Sequence, residues 1–126
     1  MKFYFCDSCK SLVEMVVDHG VTPVCCGKPM TELVAGTTDA AVEKHIPDAH
    51  VENGKLVVKV GSVEHPMLEE HFIQFIAVKA GSYVFRKNLV AGEAPYAEFD
   101  LNGYTGNVEI YEHCNLHGLW KTELTV

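Results

Sequence analysis

Short runs of branched and aromatic residues, separated by turn residues, fill the chain from residue 55 to its end. The runs cover residues 55–60, 72–79, 83–89, 96–101, 107–112 and 119–126. Gly61, Gly92 and the pair Asn102-Gly103 are among the turn residues between them. Runs of this length and composition are typical of β-strands.

Alternation inside the runs indicates strands with two different faces. Val108 and Ile110 point one way in a strand, while Glu109 and Tyr111 point the other way. Residues 119–126 alternate in the same manner. Because the runs are closely spaced and no long helical pattern appears, the sequence predicts a mainly β fold, an antiparallel sandwich or barrel.

The first quarter of the chain has a different character. A small, polar stretch without periodicity at residues 35–39 indicates a linker, so the sequence predicts one domain over residues 1–36 and a second over 37–126. About 36 residues cannot hold a stable hydrophobic core alone, so the first domain needs a metal, disulfides or a partner chain.

The net charge and the distribution of apolar residues argue against several classes of function. The net charge is −7 at pH 7, which argues against nucleic acid or an anionic membrane as a partner. No apolar run is long enough to span a bilayer, and the N-terminus lacks a signal-peptide pattern. We therefore expect a soluble, cytoplasmic protein.

Four of the five cysteines crowd the first domain: Cys6, Cys9, Cys25 and Cys26. A Cys-x2-Cys turn with a second pair downstream is a strong signal for a tetrahedral zinc or iron site, and the residue types alone do not choose between the two metals. Binding one ion through adjacent cysteines requires a bent backbone, for which Gly27 and Pro29 are suited. The alternatives are a strained vicinal disulfide and a zinc knuckle that only stabilises the domain.

The β region carries a second candidate metal site: His45, His65, His71, Cys114 and His117. A single histidine is more often a surface or core residue than a ligand, but His65 with His71 and Cys114 with His117 fall near predicted strand ends, where the loops of a sandwich can gather. His65 and His71 bracket the loop before the strand near Phe72, and Cys114 follows the strand that ends near Glu112. Four imidazoles and one thiolate suit iron and leave a sixth position open. His19, His50 and His113 are not accompanied by other candidate ligands, and we interpret them as solvated.

Together these motifs resemble the desulfoferrodoxins, the two-iron form of superoxide reductase. The resemblance covers essentially the whole chain and rests on Cys6-Asp7-Ser8-Cys9, Cys25-Cys26-Gly27-Lys28-Pro29-Met30, Glu43-Lys44-His45-Ile46-Pro47, Gly61-Ser62-Val63-Glu64-His65-Pro66-Met67, Glu70-His71 and 112–120. The Glu-Lys-His-x-Pro, His-Pro-Met and Cys-Asn-x-His motifs together are highly specific.

The resemblance implies a fold and two metal sites. The first domain would be a desulforedoxin-like unit whose four cysteines bind iron, and the second an immunoglobulin-like β-sandwich. In that sandwich the equatorial ligands of a catalytic iron would be His45, His65, His71 and His117, with Cys114 as the axial thiolate. Glu43 matches the family's carboxylate that closes the sixth position in the oxidised enzyme, and Lys44 matches its neighbouring cation.

It also implies a reaction and partners. The chain would reduce superoxide to hydrogen peroxide, would act as a homodimer, and would be re-reduced by a small donor such as rubredoxin. No Gly-x-Gly-x-x-Gly phosphate loop is present for a nicotinamide or flavin cofactor, which agrees with an external donor. Two other classes stay open: an iron protein for electron transfer or metal storage without catalysis, and a zinc-stabilised interaction module.

Overall fold

The computed structural model describes residues 1–126, which divide into two compact units, residues 1–34 and 35–126. The predicted functional domains, 1–36 and 37–126, place the division two residues later. None of the helices is long and apolar enough to cross a membrane.

The first unit is built from five very short strands. Three of them form an antiparallel sheet in the order β2-β1-β5, and the other two form a separate hairpin, β3-β4. Its small buried cluster consists of Tyr4, Cys6 and Met30, with Met15 and Cys25 packed against it. The strands are β1 (Phe3–Phe5), β2 (Leu12–Glu14), β3 (Val24–Cys25), β4 (Lys28–Pro29) and β5 (Thr31–Glu32).

A two-residue turn explains how adjacent cysteines are accommodated. Cys26 and Gly27 join β3 to β4, and both have positive φ angles, 52° and 73°. Positive φ at both central residues is the signature of a type I′ hairpin turn. The bent backbone predicted at this point is therefore confirmed.

The second unit is a sandwich of two antiparallel sheets, with strand orders β10-β7-β6 and β12-β11-β8-β9. Sheets of three and four strands are the arrangement of an immunoglobulin-like sandwich, so the predicted mainly β fold is confirmed. The elements are α1 (Val42–His45), β6 (Pro47–Glu52), β7 (Lys55–Val60), β8 (Ile73–Ala80), β9 (Tyr83–Asn88), β10 (Tyr96–Asp100), β11 (Asn107–Cys114) and β12 (Gly118–Thr125).

The core of the sandwich lies between the two sheets. Leu56, Val58 and Val60 come from β7, and they are fully buried together with Val108 and Ile110 of β11. The predicted alternation in β11 is thus correct, because residues two apart on a strand share a face. This packed core holds the strand ends and loops that carry the histidines.

Within the sandwich, β6 is the one strand that the sequence did not predict. β6 reads Pro-Asp-Ala-His-Val-Glu, and its single β-branched residue gives no apolar alternation. It nevertheless pairs with β7 along its whole length, from Pro47↔Val60 to Glu52↔Lys55. The signal that could have found it is the turn Asn53-Gly54, since Asn-Gly between two runs is a strong mark of a hairpin.

Candidate metal centres

The four cysteines of the first unit converge on one point, and we call them the four-cysteine cluster. Their sulfur atoms all lie within 4.8 Å of one another. The Sγ atoms of Cys9 and Cys25 are 3.6 Å apart, and those of Cys25 and Cys26 are 3.9 Å apart. Thiolates about 2.3 Å from a tetrahedral ion lie about 3.8 Å from each other. All four cysteines are free, so the vicinal disulfide is not formed and the spacing fits a bound metal.

Hydrogen bonding and charge make the four-cysteine cluster a cation site. The backbone N–H of Cys9 points at Cys6 Sγ at 3.5 Å, as expected for a Cys-x2-Cys turn. The Ser11 hydroxyl, 3.1 Å from Cys9 Sγ, contributes most to lowering the pKa of Cys9 to about 6. The neighbouring Cys6 and Cys9 sulfurs instead raise the pKa of Cys25 to about 12. The four sulfurs cannot all ionise in this space unless a cation offsets their repulsion, and a bound metal ion would supply that charge.

The second cluster gathers loops from one end of the sandwich. We call it the histidine-rich cluster: His45, His65, His71, Cys114 and His117. Its potential ligand atoms also lie within 4.8 Å of one another. His45 ends α1, His65 and His71 belong to the connection between β7 and β8, and His117 lies in the turn between β11 and β12.

The four imidazoles form a closed ring around a common centre. Neighbouring ring centroids are 4.7 Å apart for His45 and His65 and 4.6 Å for His65 and His71. The ring closes through His117, 5.0 Å from His71 and 4.9 Å from His45. Each pair is edge-on, with interplanar angles of 76° to 87°. Such a ring is suited to hold four nitrogens in one plane around an ion.

The hydrogen bonds of the rings show which nitrogens face that centre. His45 Nδ1 donates to the carbonyl of Ala41, and His65 Nδ1 donates to the carbonyl of Pro66, both at 2.7 Å. A neutral imidazole has one N–H, so the Nε2 atoms of His45 and His65, 3.2 Å apart, both present lone pairs. His71 Nε2 is buried without a partner. The facing lone pairs of His45 and His65 and the nitrogen of His71 without a partner fit a cation bound between them.

Burial keeps three of these imidazoles in the form that binds metal. It is the main cause that lowers the pKa of His45, of His71 and of His65, the last to about 4. All three rings are therefore neutral near pH 7 and can donate a lone pair. Nitrogens about 2.1 Å from one ion and at right angles lie about 3.0 Å apart. The separation of 3.2 Å between His117 Nδ1 and His45 Nε2 is close to that value.

Cys114 supplies the fifth donor from inside the sandwich. Its side chain is fully buried, and Sγ lies 3.8 Å from His117 Nδ1. Burial raises the pKa of the thiol, while backbone N–H groups of Leu116 and His117 oppose that shift. The expectation that Cys114 follows its strand was wrong, because β11 continues to Cys114. A break in the pairing with β8 between His113 and Cys114 ends the regular ladder there.

Two residues that support the cluster were missed by the sequence analysis. Asn115 lies beside His71: its side chain accepts from Phe72 N at 2.9 Å and donates to the Glu70 carbonyl at 3.0 Å. Trp120 stacks on His45, with centroids 5.0 Å apart, and donates from Nε1 to the His117 carbonyl at 3.1 Å. The sequence signal that could have identified both residues is their position in the Cys-Asn-x-His-x-x-Trp segment, which also contains two candidate ligands.

Glu43 and Lys44 lie on α1 immediately before His45, and both are exposed. Lys44 lines an open cavity beside His65, together with Glu64 and Glu93. Its charge also contributes to lowering the pKa of His71, after burial and His117. The Glu43 carboxylate is not among the clustered ligand atoms. The structure therefore places a cation close to the imidazoles and the carboxylate outside them.

The interpretation of His113 as a solvated residue was wrong. It is 2% exposed, its ring is stacked on Phe75 at 5.9 Å, and Nδ1 bonds to Gln74 Oε1 at 2.8 Å. Burial lowers its pKa to about 4, so the ring is neutral near pH 7. Its place on β11, next to the apolar Phe75 of β8, is a tertiary effect that no local pattern shows. His19 and His50 are exposed, as expected.

Comparisons with known proteins agree with this geometry. The sequence model of the desulfoferrodoxin family matches residues 37–123. A desulfoferrodoxin of Syntrophotalea carbinolica is 46% identical over 98% of this chain and 96% of its own length. The crystal structure of the superoxide reductase from Treponema pallidum has a TM-score of 0.74 and 36% identity, over 95% of this chain and 98% of that one. A one-iron superoxide reductase from Giardia intestinalis covers 67% of this chain and 99% of its own, with a TM-score of 0.55 and 26% identity.

The fold and the two clusters define a non-haem iron protein with one thiolate centre and one imidazole-rich centre. The chain belongs to the desulfoferrodoxin family. The four-cysteine and histidine-rich clusters are the two iron centres of such a protein.

Proposed function

We propose that this chain is a superoxide reductase whose reaction takes place at the histidine-rich cluster. One electron and two protons convert superoxide to hydrogen peroxide. The observation that carries the proposal is the closed ring of four imidazoles with the buried Cys114 thiol as a fifth donor. Bound iron supplies a reversible one-electron couple and an exchangeable coordination position. The family relationship and the superoxide reductases among similar structures support this assignment.

The ring geometry supports one set of ligands. We propose that His45, His65, His71 and His117 hold the metal through the nitrogens that face the centre, and that Cys114 binds as a thiolate. Hydrogen bonds from His45 and His65 to backbone carbonyls fix the orientation of those rings. The buried thiolate of Cys114 would donate electron density to a bound metal, which would favour electron transfer to the substrate. In the first unit, Cys6, Cys9, Cys25 and Cys26 hold the second iron.

Lys44 attracts the substrate anion. The chain has a net charge of −7, which gives superoxide no long-range attraction, and Glu64 and Glu93 add negative charge around the cavity. Beyond about 8–10 Å such charges are screened at physiological salt, so a cation next to the imidazoles decides the final approach. Glu43 has a lesser role, in product release and in the resting oxidised state.

The electron comes from a separate protein. The chain has no glycine-rich loop for nicotinamide or flavin, and a small one-electron donor such as rubredoxin fits the need. We further propose that residues 1–36 and 37–126 act as an iron-binding domain and a catalytic domain.

The proposed assembly is a homodimer in which the first unit contributes to the interface. That unit buries a cluster of only three residues yet leaves Val16, Val17 and Val21 exposed by 82%, 67% and 71%. Apolar surface of this kind gains stability when a second copy covers it. Sedimentation velocity of the iron-loaded protein tests the proposal: a species of twice the chain mass is expected, and a monomer at micromolar concentration would contradict it.

Metal analysis combined with visible spectroscopy tests the enzyme assignment. We expect two irons per chain, a thiolate spectrum from the iron of the four-cysteine cluster, and a second band that appears on oxidation and shifts when azide is added. The azide response separates an enzyme with an exchangeable position from an iron protein without catalysis. Zinc at both sites, or an oxidised spectrum insensitive to azide, would overturn the proposal.

A further inference from the structure

The backbone carbonyl of Glu43 is held by the loop that follows β7. Val63 N donates to it at 3.0 Å, and the Ser62 hydroxyl donates to it at 3.2 Å. In a continuing helix this carbonyl would accept from the N–H of the residue four positions later. That residue is Pro47, which has no N–H. The loop therefore satisfies an acceptor that α1 itself cannot satisfy.

Gly61 allows the same loop to approach α1. A Cβ atom at this position would lie 2.6 Å from the Glu43 carbonyl oxygen, 3.0 Å from the Ile46 carbonyl oxygen and 3.0 Å from the Lys44 carbonyl carbon. All three atoms belong to the backbone, so no side chain can turn away to make room. Any larger residue at position 61 displaces the segment that carries Glu43 and Lys44.

The loop is also fixed at its other end. His65 N donates to the Val60 carbonyl at 2.9 Å, and Gly61 N donates to the Val63 carbonyl at 3.2 Å. One short connection thus links the end of β7, the imidazole of His65 and the segment just before His45. The position of Lys44 relative to the imidazoles depends on this connection.

We propose that residues 61–63 form a clamp that holds the Glu43–Lys44 segment in place, with Gly61 and Ser62 as positioning residues for the Lys44 charge. The clamp acts through contacts to the backbone of α1 and touches neither substrate nor metal. Its consequence for the reaction rests on the proposed role of Lys44 in attracting superoxide. Its structural part, the anchoring of α1, is independent of that role.

Amide hydrogen exchange of the iron-loaded protein tests the anchoring directly. Lys44 N and Ile46 N donate to the carbonyls of Ala41 and Val42, so their exchange reports opening of α1. Ser62→Ala removes one hydrogen bond, worth about 1 kcal/mol, and is expected to speed exchange in peptides covering residues 42–46 about fivefold. Gly61→Ala is expected to do so by about tenfold or more. Ser82→Ala, in the turn between β8 and β9, is the matched control and leaves this exchange unchanged.

A double-mutant comparison tests whether the clamp acts through Lys44. Gly61→Ala should lower the superoxide association rate in the wild-type background and cause no further loss in a Lys44→Ile background. Equal losses in both backgrounds would overturn the positioning role. Unchanged exchange over residues 42–46 in both clamp variants would overturn the clamp itself. If Lys44→Ile alone does not change the association rate, the proposed role of Lys44 fails, while the exchange result still tests the clamp. If Gly61→Ala does not fold, the exchange of Ser62→Ala tests the clamp.

Discussion

Trp120 contacts two of the proposed iron ligands, so its replacement tests how far the histidine-rich cluster depends on residues that only orient the rings. Its indole stacks on His45 and donates a hydrogen bond to the carbonyl of His117. The stack is worth about 0.5–1.5 kcal/mol and the hydrogen bond about 1 kcal/mol. Together they amount to about 1.5–2.5 kcal/mol, which corresponds to about a 10- to 60-fold change in ferrous iron affinity.

Two substitutions separate the contributions. Trp120→Leu removes both contacts and should weaken ferrous binding by the full amount. Trp120→Phe keeps a ring over His45 and removes only the hydrogen bond, so a loss of about fivefold is expected. The assay is anaerobic equilibrium competition with a chelator, with the iron of the four-cysteine cluster in the same chain as an internal reference.

The control is Phe85→Leu, an aromatic replacement in the same sandwich whose ring contacts Tyr83 and Phe99. It should leave the iron affinity of the histidine-rich cluster unchanged. Unchanged affinity in a folded Trp120→Leu protein, or the same loss in the Phe85→Leu protein, would show that Trp120 does not orient the ligands.

Four further changes address charge and burial. Lys44→Ile should lower the superoxide association rate and flatten its dependence on ionic strength, measured by pulse radiolysis. Glu43→Ala should alter product release or the oxidised spectrum more than the first electron transfer, as followed by rapid mixing. Glu112 is fully buried and neither carboxyl oxygen has a partner, so Glu112→Met should stabilise the fold by about 1–3 kcal/mol, seen as a higher Tm. The Lys121 ammonium, 2.6 Å from Glu109, lowers the pKa of that carboxyl below 4.5. The ion pair therefore stabilises the fold above pH 4.5, and this stabilisation is lost as the pH falls through the lowered pKa of Glu109. Lys121→Met should raise the pKa of Glu109, which carboxyl NMR of the zinc-loaded protein measures.

Each of these expectations can fail in a distinct way. An unchanged association rate in Lys44→Ile would remove the local attraction, and a Glu43→Ala protein that does not react with superoxide would give that carboxylate a larger role. A lower Tm in Glu112→Met would reveal a partner for the buried carboxyl. An unshifted pKa of Glu109 in Lys121→Met would show that the ion pair is absent in solution.

Periodicity and motif spacing predicted most of the sandwich and both clusters. β7 has the predicted ends, and β8 to β12 lie within two residues of their predicted bounds. Cysteine and histidine spacing identified every residue that the structure brings together. These features are local, because alternation and turn residues are written in short stretches of sequence.

What the sequence did not show depends on long-range packing. The burial of His113 against Phe75 joins two strands that are 38 residues apart in the chain, and the hydrogen bonds of Asn115 to Glu70 and Phe72 span a similar distance. The choice between Nδ1 and Nε2 at His45 and His65 depends on which carbonyl lies nearby, which only the fold decides. The role of Gly61 likewise follows from the backbone of α1 that it meets.

The ratio of hydrogen peroxide formed to superoxide consumed distinguishes superoxide reduction from dismutation by this chain. With the reduced protein in excess, a superoxide reductase yields one peroxide for each superoxide consumed. The protein loses one electron in each reaction. We predict a ratio of one peroxide to one superoxide. We also expect the visible band of the iron in the histidine-rich cluster to show that this iron is oxidised. One peroxide for every two superoxide ions, with no net oxidation of the protein, would show that the chain is a dismutase and not a reductase.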